Sequence, residues 1–346
     1  GLGLTTHASA IKNAGAKPLV LAAVFRMFGT SVAAAQYFNV ALSVGTVFFV
    51  WRIVRRLSGR IGGFAGLCAA AFWPSQILYG NFVAGEYAFT FLLMGCVWLF
   101  VASLQDFGGT AAHPWLCVLE LAGLGVLLAF AGVIRPLAVI FLIALLIYMI
   151  PGKMKLPARL RNDIPLGLRL ISRGWKRCLL VLCPYLLFSA FFSLNVGYTV
   201  NRSLASSSVS YGYNLLVGLN TQSSGGWNQK DSDYLYKAFD STQSAAKAHQ
   251  ACRDLAFKRL CGSPKANFNL MVHKFEVLWG NDDYGASWNI LFMDQQGNLT
   301  PQRKTFLYRM MDISDLYYLI MLVLSGVLGL YLWKKKPNAS YSLVLL

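Results

Sequence analysis

The sequence predicts an all-α, polytopic membrane protein: a bundle of apolar helices carrying a small external helical domain. Composition is the first observation behind this. Of 346 residues, 56% are hydrophobic and 13% charged, and the mean hydropathy is +0.50. A soluble domain of this size has about a quarter charged residues. The second is a hydrophobic hairpin, Leu116 to Ile150, broken only by Arg135-Pro136. The third is where the net charge of +17 falls. The basic residues crowd into short segments beside apolar stretches, which argues for a membrane and against nucleic acid as the partner.

The expected spans are about 33–51, 62–79 (interrupted at Pro74), 86–104, 116–134, 137–150, 178–196 and 316–333. An earlier stretch, Pro18 to Gly29, reads as a short interfacial helix. The predicted domains are a membrane domain over 1–196, an external helical segment over 197–315, and a last region over 316–346. That last region holds the seventh span, a basic turn and the start of a further span. Arg52, Arg55, Arg56 and Arg60 follow the first span, eight Lys and Arg between 153 and 177 precede the sixth, and Lys334, Lys335 and Lys336 follow the seventh. Alternating spans put all three clusters on one side, which positive-inside charge bias marks as cytoplasmic. The expected location is a bacterial-type plasma membrane with 197–315 outside. Single cysteines introduced at Ser207 and Ser244 then label from outside intact cells, whereas one at Ser172 does not. Labelling at Ser172 with protection at Ser244 would invert the topology.

The external segment reads as helical. Ser241–Leu260 carries an apolar stripe at Ala248, Cys252, Leu255, Ala256 and Leu260. After Gly262, Ser263-Pro264 supplies a cap and a first-turn proline for a second helix, with a stripe at Phe268, Met271, Val272, Phe275, Leu278 and Trp279. Tyr211–Trp227 has the composition of a structured loop. Asp163–Trp175 resembles an interfacial helix attracted to anionic lipid. The seven cysteines show no C-x-x-C pair. Cys252 and Cys261 stand nine residues apart on one predicted helix, too far for a disulfide.

Few residues offer chemistry. Arg135 at the tip of an apolar hairpin either snorkels to headgroups or awaits an anionic substrate at the membrane surface. Glu86 is the first acidic residue of the chain. It either serves the helix dipole or lines an external cavity with Arg135. Asp282 and Asp283 either satisfy a turn or hold an acceptor or a divalent cation, since both tasks need negative oxygen. His249 and His273 lack ligand spacing, so no other metal site is expected. Asn201-Arg202-Ser203 and Asn298-Leu299-Thr300 fit the glycosylation sequon.

The order of features is more specific than any one of them. FRMFGTSVAAAQYFNVALSVGTVFFVWRIVRRLSGR is followed by AAAFWPSQILYG, GEYAFTFLLMG and GLGVLLAFAGVIRPLAV. This series resembles the membrane half of bacterial glycosyltransferase family 39 proteins, relatives of protein O-mannosyltransferases and lipid A aminoarabinose transferases. The pattern is a Phe-Gly before the span of Asn39, an Arg-rich turn, Pro74-Ser75, a Glu opening the next span (Glu86), and Arg135-Pro136. HQACRDLAFKRLCGSPKANFNLMVHKFEVLWGNDDYG is similar to the external segment of Gram-positive-type members.

The resemblance implies a GT-C membrane fold and transfer of a sugar from a polyprenyl-phosphate donor to a lipid, glycan or protein acceptor outside. It places the donor phosphate at Arg135 and leaves the principal catalytic acid unassigned in this chain, with Glu86 the first suspect for a catalytic carboxylate among the acids present. The family's key acid lies in a first external loop, and no Asp or Glu precedes Glu86 here. The chain is accordingly expected to be an internal fragment, inactive by itself. The alternatives are a transporter or flippase and a glycan polymerase or ligase of the cell envelope.

Overall fold

The structure, a computed structural model, describes residues 17–105, 114–135, 137–149, 166–199 and 211–335. It is all-helical, with thirteen α-helices and one 3-10 turn among these residues. In chain order they are α1 (Lys17–Phe28), α2 (Val32–Ala71), α3 (Pro74–Tyr79), α4 (Glu86–Gln105), α5 (Pro114–Ile134), α6 (Ala138–Met149) and α7 (Leu166–Thr199). Then follow α8 (Tyr211–Gly218), the 3-10 turn Thr221–Ser223, α9 (Gln229–Thr242), α10 (Ala245–Gly262), α11 (Pro264–Gly280), α12 (Tyr284–Gln295) and α13 (Pro301–Lys335). Five helices are long and apolar enough to cross a membrane, as an integral membrane protein requires: α2, α4, α5, α7 and α13. The sequence reading expected seven spans. The two short ones are the second arm of α2 and the apolar helix α6.

α2 reverses on itself. Gly59 adopts φ +76°, a left-handed conformation that glycine takes without a Cβ penalty. A Cβ built on Gly63 would lie 2.9 Å from the Arg55 Cα, and one on Gly66 would lie 2.9 Å from the Val54 side chain. Along a straight helix those partners would stand about 12 and 18 Å apart. The Arg-rich segment is therefore the tip of a helical hairpin, as the charge pattern anticipated. Ser31 begins the first arm, its Oγ accepting from the Ala34 N–H at 3.0 Å. The second arm ends at Phe72 and Trp73, where Pro74 cannot donate and opens α3 instead.

Two compact units exist. The membrane unit comprises Lys17–Ser189 and Asp282–Leu346. Its core lies where α4, α5, α6 and α7 meet: Leu92, Cys96 and Phe100 face Leu121, Leu124 and Leu128, with Leu142, Leu145 and Val181 closing the cluster. α5 and α7 touch at Gly125, where a Cβ would stand 2.2 Å from the Val181 carbonyl oxygen. Close backbone approach at small residues is how helices associate where lipid supplies no hydrophobic drive. α2 joins α4 through Phe49 against Phe91 at 5.3 Å and through Ile53, Val97 and Val101.

The other unit includes Ala190–Asn281. Tyr213, Leu216, Leu235, Ala248, Cys252 and Ala256 form its core, so Ala248, Cys252 and Ala256 bury as their spacing predicted. The composition of Tyr211–Trp227 reads as a loop, yet α8 and the 3-10 turn occupy most of it. Asn220 caps that turn, its side chain accepting from Gln222 and Ser223. The expected interfacial helix Asp163–Trp175 continues without a break from Leu166 into the sixth span as α7. Gly197–Asp315 contributes to both units, because α12 packs on α3. The sequon at Asn201 and the basic segment at 150–165 lie outside the described residues.

Candidate functional site

α4 begins where α5 ends, and that end of the bundle carries the candidate site. Glu86 stands in the first turn of α4, where the helix dipole favours a carboxylate. Arg135 follows α5 directly, its N–H still donating to the Ala131 carbonyl at 2.8 Å. The Ala138 N–H in turn donates to the Arg135 carbonyl at 3.2 Å and closes the turn into α6. Because α4 and α5 are antiparallel, these two side chains meet, and Arg135 Nη2 pairs with Glu86 Oε1. The side chains are 30% and 31% exposed. Glu86 Oε2 and Arg135 Nε nevertheless are buried without a hydrogen-bond partner among the described residues. One acceptor and one donor of the pair thus remain to be satisfied.

Aromatic and amide groups build the rim. The Tyr79 ring, at the end of α3, stacks on Tyr87 at 6.2 Å and meets Tyr284 at 5.5 Å. Burial, reinforced by Tyr284 and Tyr87, raises the Tyr79 phenol above its ordinary value, and Arg135 pulls the other way. Arg135 is therefore within electrostatic reach of that phenol. Asn39, buried on α2, donates to the Phe82 and Gly80 carbonyls at 2.7 and 3.3 Å, holding the loop that leads into Glu86. Tyr87 donates to the Gln76 carbonyl.

A second polar cluster sits where α12 meets α3. Trp73 Nε1 donates to Asp282 Oδ2 at 2.5 Å, and the Asp282 N–H donates to Asp315 Oδ1 at 2.8 Å. The Gly285 N–H donates to Ser75 Oγ at 3.1 Å, and a Cβ on Gly285 would fall 2.2 Å from the Ser75 carbonyl oxygen. Pro74-Ser75 thus serves helix packing. Burial raises the Asp282 carboxyl above the usual range despite bonds from Trp73 and Ser75, with Asp315 and Asp283 adding to the rise. Burial, then Asp315, raises Asp283 as well.

Sequence reasoning singled out Glu86, Arg135, Asp282 and Asp283. The structure brings the first two together and sets the two aspartates beside Asp315, with no hydrogen bond or ion pair joining the Glu86–Arg135 pair to the aspartates among the described residues. No group of three His, Cys, Asp or Glu among the described residues could hold a metal ion. His249 accepts the Tyr213 N–H at 3.3 Å within its own unit. Tyr79, Trp73 and Asp315 went unnoticed in the sequence. Only Asp315 left a signal there, as the last acid before the seventh apolar run.

The basic residues of α2 lie at the opposite end. Arg56 Nη2 donates to the Ala102 carbonyl at 3.4 Å, and the Arg52 guanidinium lies 5.8 Å from the Trp98 ring centre. From Glu86 to Ala102 is about 24 Å of helix, close to a bilayer's hydrocarbon thickness of about 30 Å. Comparison of the chain with family models, with curated proteins and with solved structures gives no match in any of the three.

Proposed function

We propose that the chain is the membrane part of a glycosyltransferase that takes a sugar from a polyprenyl-phosphate donor. The acceptor is a lipid, glycan or protein, the bundle is of GT-C type, and the Glu86 end faces outside. The observation that carries this reading is the Glu86–Arg135 pair with its two unsatisfied atoms. An isolated structural ion pair gains nothing from leaving a donor and an acceptor buried and unmet. An incoming phosphate exchanges places with Glu86 and takes the guanidinium through two parallel N–H bonds. In transfer, the bond from the sugar carbon to the phosphate oxygen breaks and the acceptor oxygen forms the new bond. The acceptor's proton passes to a carboxylate, and negative charge collects on the departing polyprenyl phosphate. Arg135 opposes that charge, and the freed Glu86 takes the proton. Asp282 and Asp283, whose carboxyls hold protons more tightly than usual, are assigned to the acceptor side.

The test is donor dependence. The intact protein, reconstituted in vesicles, receives a radiolabelled sugar on polyprenyl phosphate or on a nucleotide. Label moving to a non-prenyl product from the polyprenyl donor alone supports the proposal. Translocation of the labelled lipid with no transfer contradicts it and leaves the flippase reading.

A further inference from the structure

Helix α11 is amphipathic the wrong way round for a soluble domain. At 100° per residue, Asn267, Leu270 and Lys274 fall within an arc of about 60°. This arc faces its own unit. Asn267 Nδ2 donates to the Leu260 and Arg259 carbonyls at 2.9 and 3.0 Å, and Lys274 Nζ donates to the Gly218 carbonyl at 2.5 Å. Only Leu270 adds apolar burial there. A separate arc of about 120° holds Phe268, Met271, Val272, Phe275 and Leu278. These are 66%, 67%, 43%, 64% and 72% exposed. The stripe that the sequence marks as a burying face is thus turned outward, and polar bonds fasten the helix by another side.

An exposed apolar stripe of this length needs a cover, and the chain itself indicates which. Gly280 ends α11, two residues before Asp282, so about 7 Å of chain separates them. The Asp282 N–H is fixed to Asp315 on α13, and the apolar run of α13 starts at the next residue, Leu316. The end of α11 thus lies two residues along the chain from Asp282, whose partner Asp315 directly precedes the apolar run of α13. His273, Glu276 and Asn269 lie on the side away from the stripe and are exposed to water. A helix with an apolar arc, a polar back and an anchor at the membrane boundary has the form that settles into the headgroup and acyl boundary.

We infer that α11 is a membrane-surface helix whose Phe268–Leu278 face is embedded in the lipid of the leaflet nearest the Glu86 end. The inference does not depend on any activity at Glu86 and Arg135.

Nitroxide accessibility tests it. In the full chain, the accessible cysteines Cys68, Cys178, Cys183 and Cys261 are replaced by serine. Labels are then placed singly at Met271→Cys, Phe275→Cys, Asn269→Cys and His273→Cys, all exposed positions. The protein is reconstituted in phosphatidylethanolamine and phosphatidylglycerol vesicles. Collisions with dissolved oxygen are expected to exceed those with a water-soluble nickel chelate several-fold at Met271 and Phe275, with the order reversed at Asn269 and His273. That alternation also verifies that α11 is still folded. Nickel dominating at all four sites would put the face in water, and low values for both reagents at Met271 and Phe275 would mean protein covers it. Either result overturns the inference.

Discussion

In the otherwise intact parent, replacing Arg135 by alanine is expected to lower transfer per correctly inserted molecule by on the order of 10²-fold or more, the loss that follows removal of one preorganised donor. The Arg135 backbone is held by the last turn of α5 and its guanidinium by Glu86, so the cation waits in place rather than being recruited. In the proposed reaction its contact with the donor phosphate strengthens as the sugar departs, which is why the loss is expected in the rate of transfer. Arg135→Lys is expected to recover only part, since a point charge returns without the fork. Folding suffers little, because the side chain is nearly a third exposed. An arginine that only snorkels would give near-normal rates for lysine, and for alanine once insertion is corrected.

The second large effect concerns the unit that includes Ala190–Asn281. Asp231 is 2% exposed and stands in the first turn of α9. Arg259 reaches it with Nη2 to Oδ1 at 2.6 Å and Nη1 to Oδ2 at 3.0 Å, and Asn228 and Asn220 donate at 2.8 and 2.9 Å. Asp231→Ala leaves these donors unmet and is expected to cost about 3 kcal/mol. Burial alone would raise the Asp231 carboxyl, but the bonds from Arg259, Asn228 and Asn220 outweigh it and hold the group below its usual 3.8. A depressed carboxyl stabilises the fold fully above the unfolded value and loses that contribution as pH falls through the folded one. Protection of α9 and α10 amides, corrected for intrinsic exchange, should therefore fall below about pH 4. The sign is opposite at Asp282 and Asp283, whose raised carboxyls favour the fold when protonated. Acid should spare the α3–α12 contact while it loosens α9 and α10.

Much of the architecture was legible because the forces that make it are local. Apolar length marked the spans, and Arg52, Arg55, Arg56 and Arg60 marked a turn, since a run of charge is costly in hydrocarbon; Gly59, where the turn is made, gave no signal of its own. Glu86 and Arg135 stood out because ionised groups are rare next to such runs, and the antiparallel course of α4 and α5 then made them neighbours. What stayed hidden depends on contacts far apart in the chain. Trp73 meets Asp282 across more than two hundred residues, and Gly285 rests on Ser75 at similar separation. No periodicity reports either. The α11 stripe was legible as a stripe, but periodicity says only that one face is apolar. Which medium covers it depends on Asn267 and Lys274 taking the inward side.

Donor binding as proposed requires that Arg135 is held by Glu86 until a phosphate replaces it. Binding of polyprenyl phosphate to the reconstituted protein, compared between the parent and Glu86→Gln, measures this most directly. Neutralising Glu86 removes the competitor for the guanidinium, so binding should tighten about five-fold, equivalent to an ion pair of about 1 kcal/mol. Sugar transfer by the same variant should fall, since the carboxylate that takes the acceptor's proton is gone. Unchanged or weaker binding would show that the pair only braces the ends of α4 and α5, and would contradict the donor-site assignment.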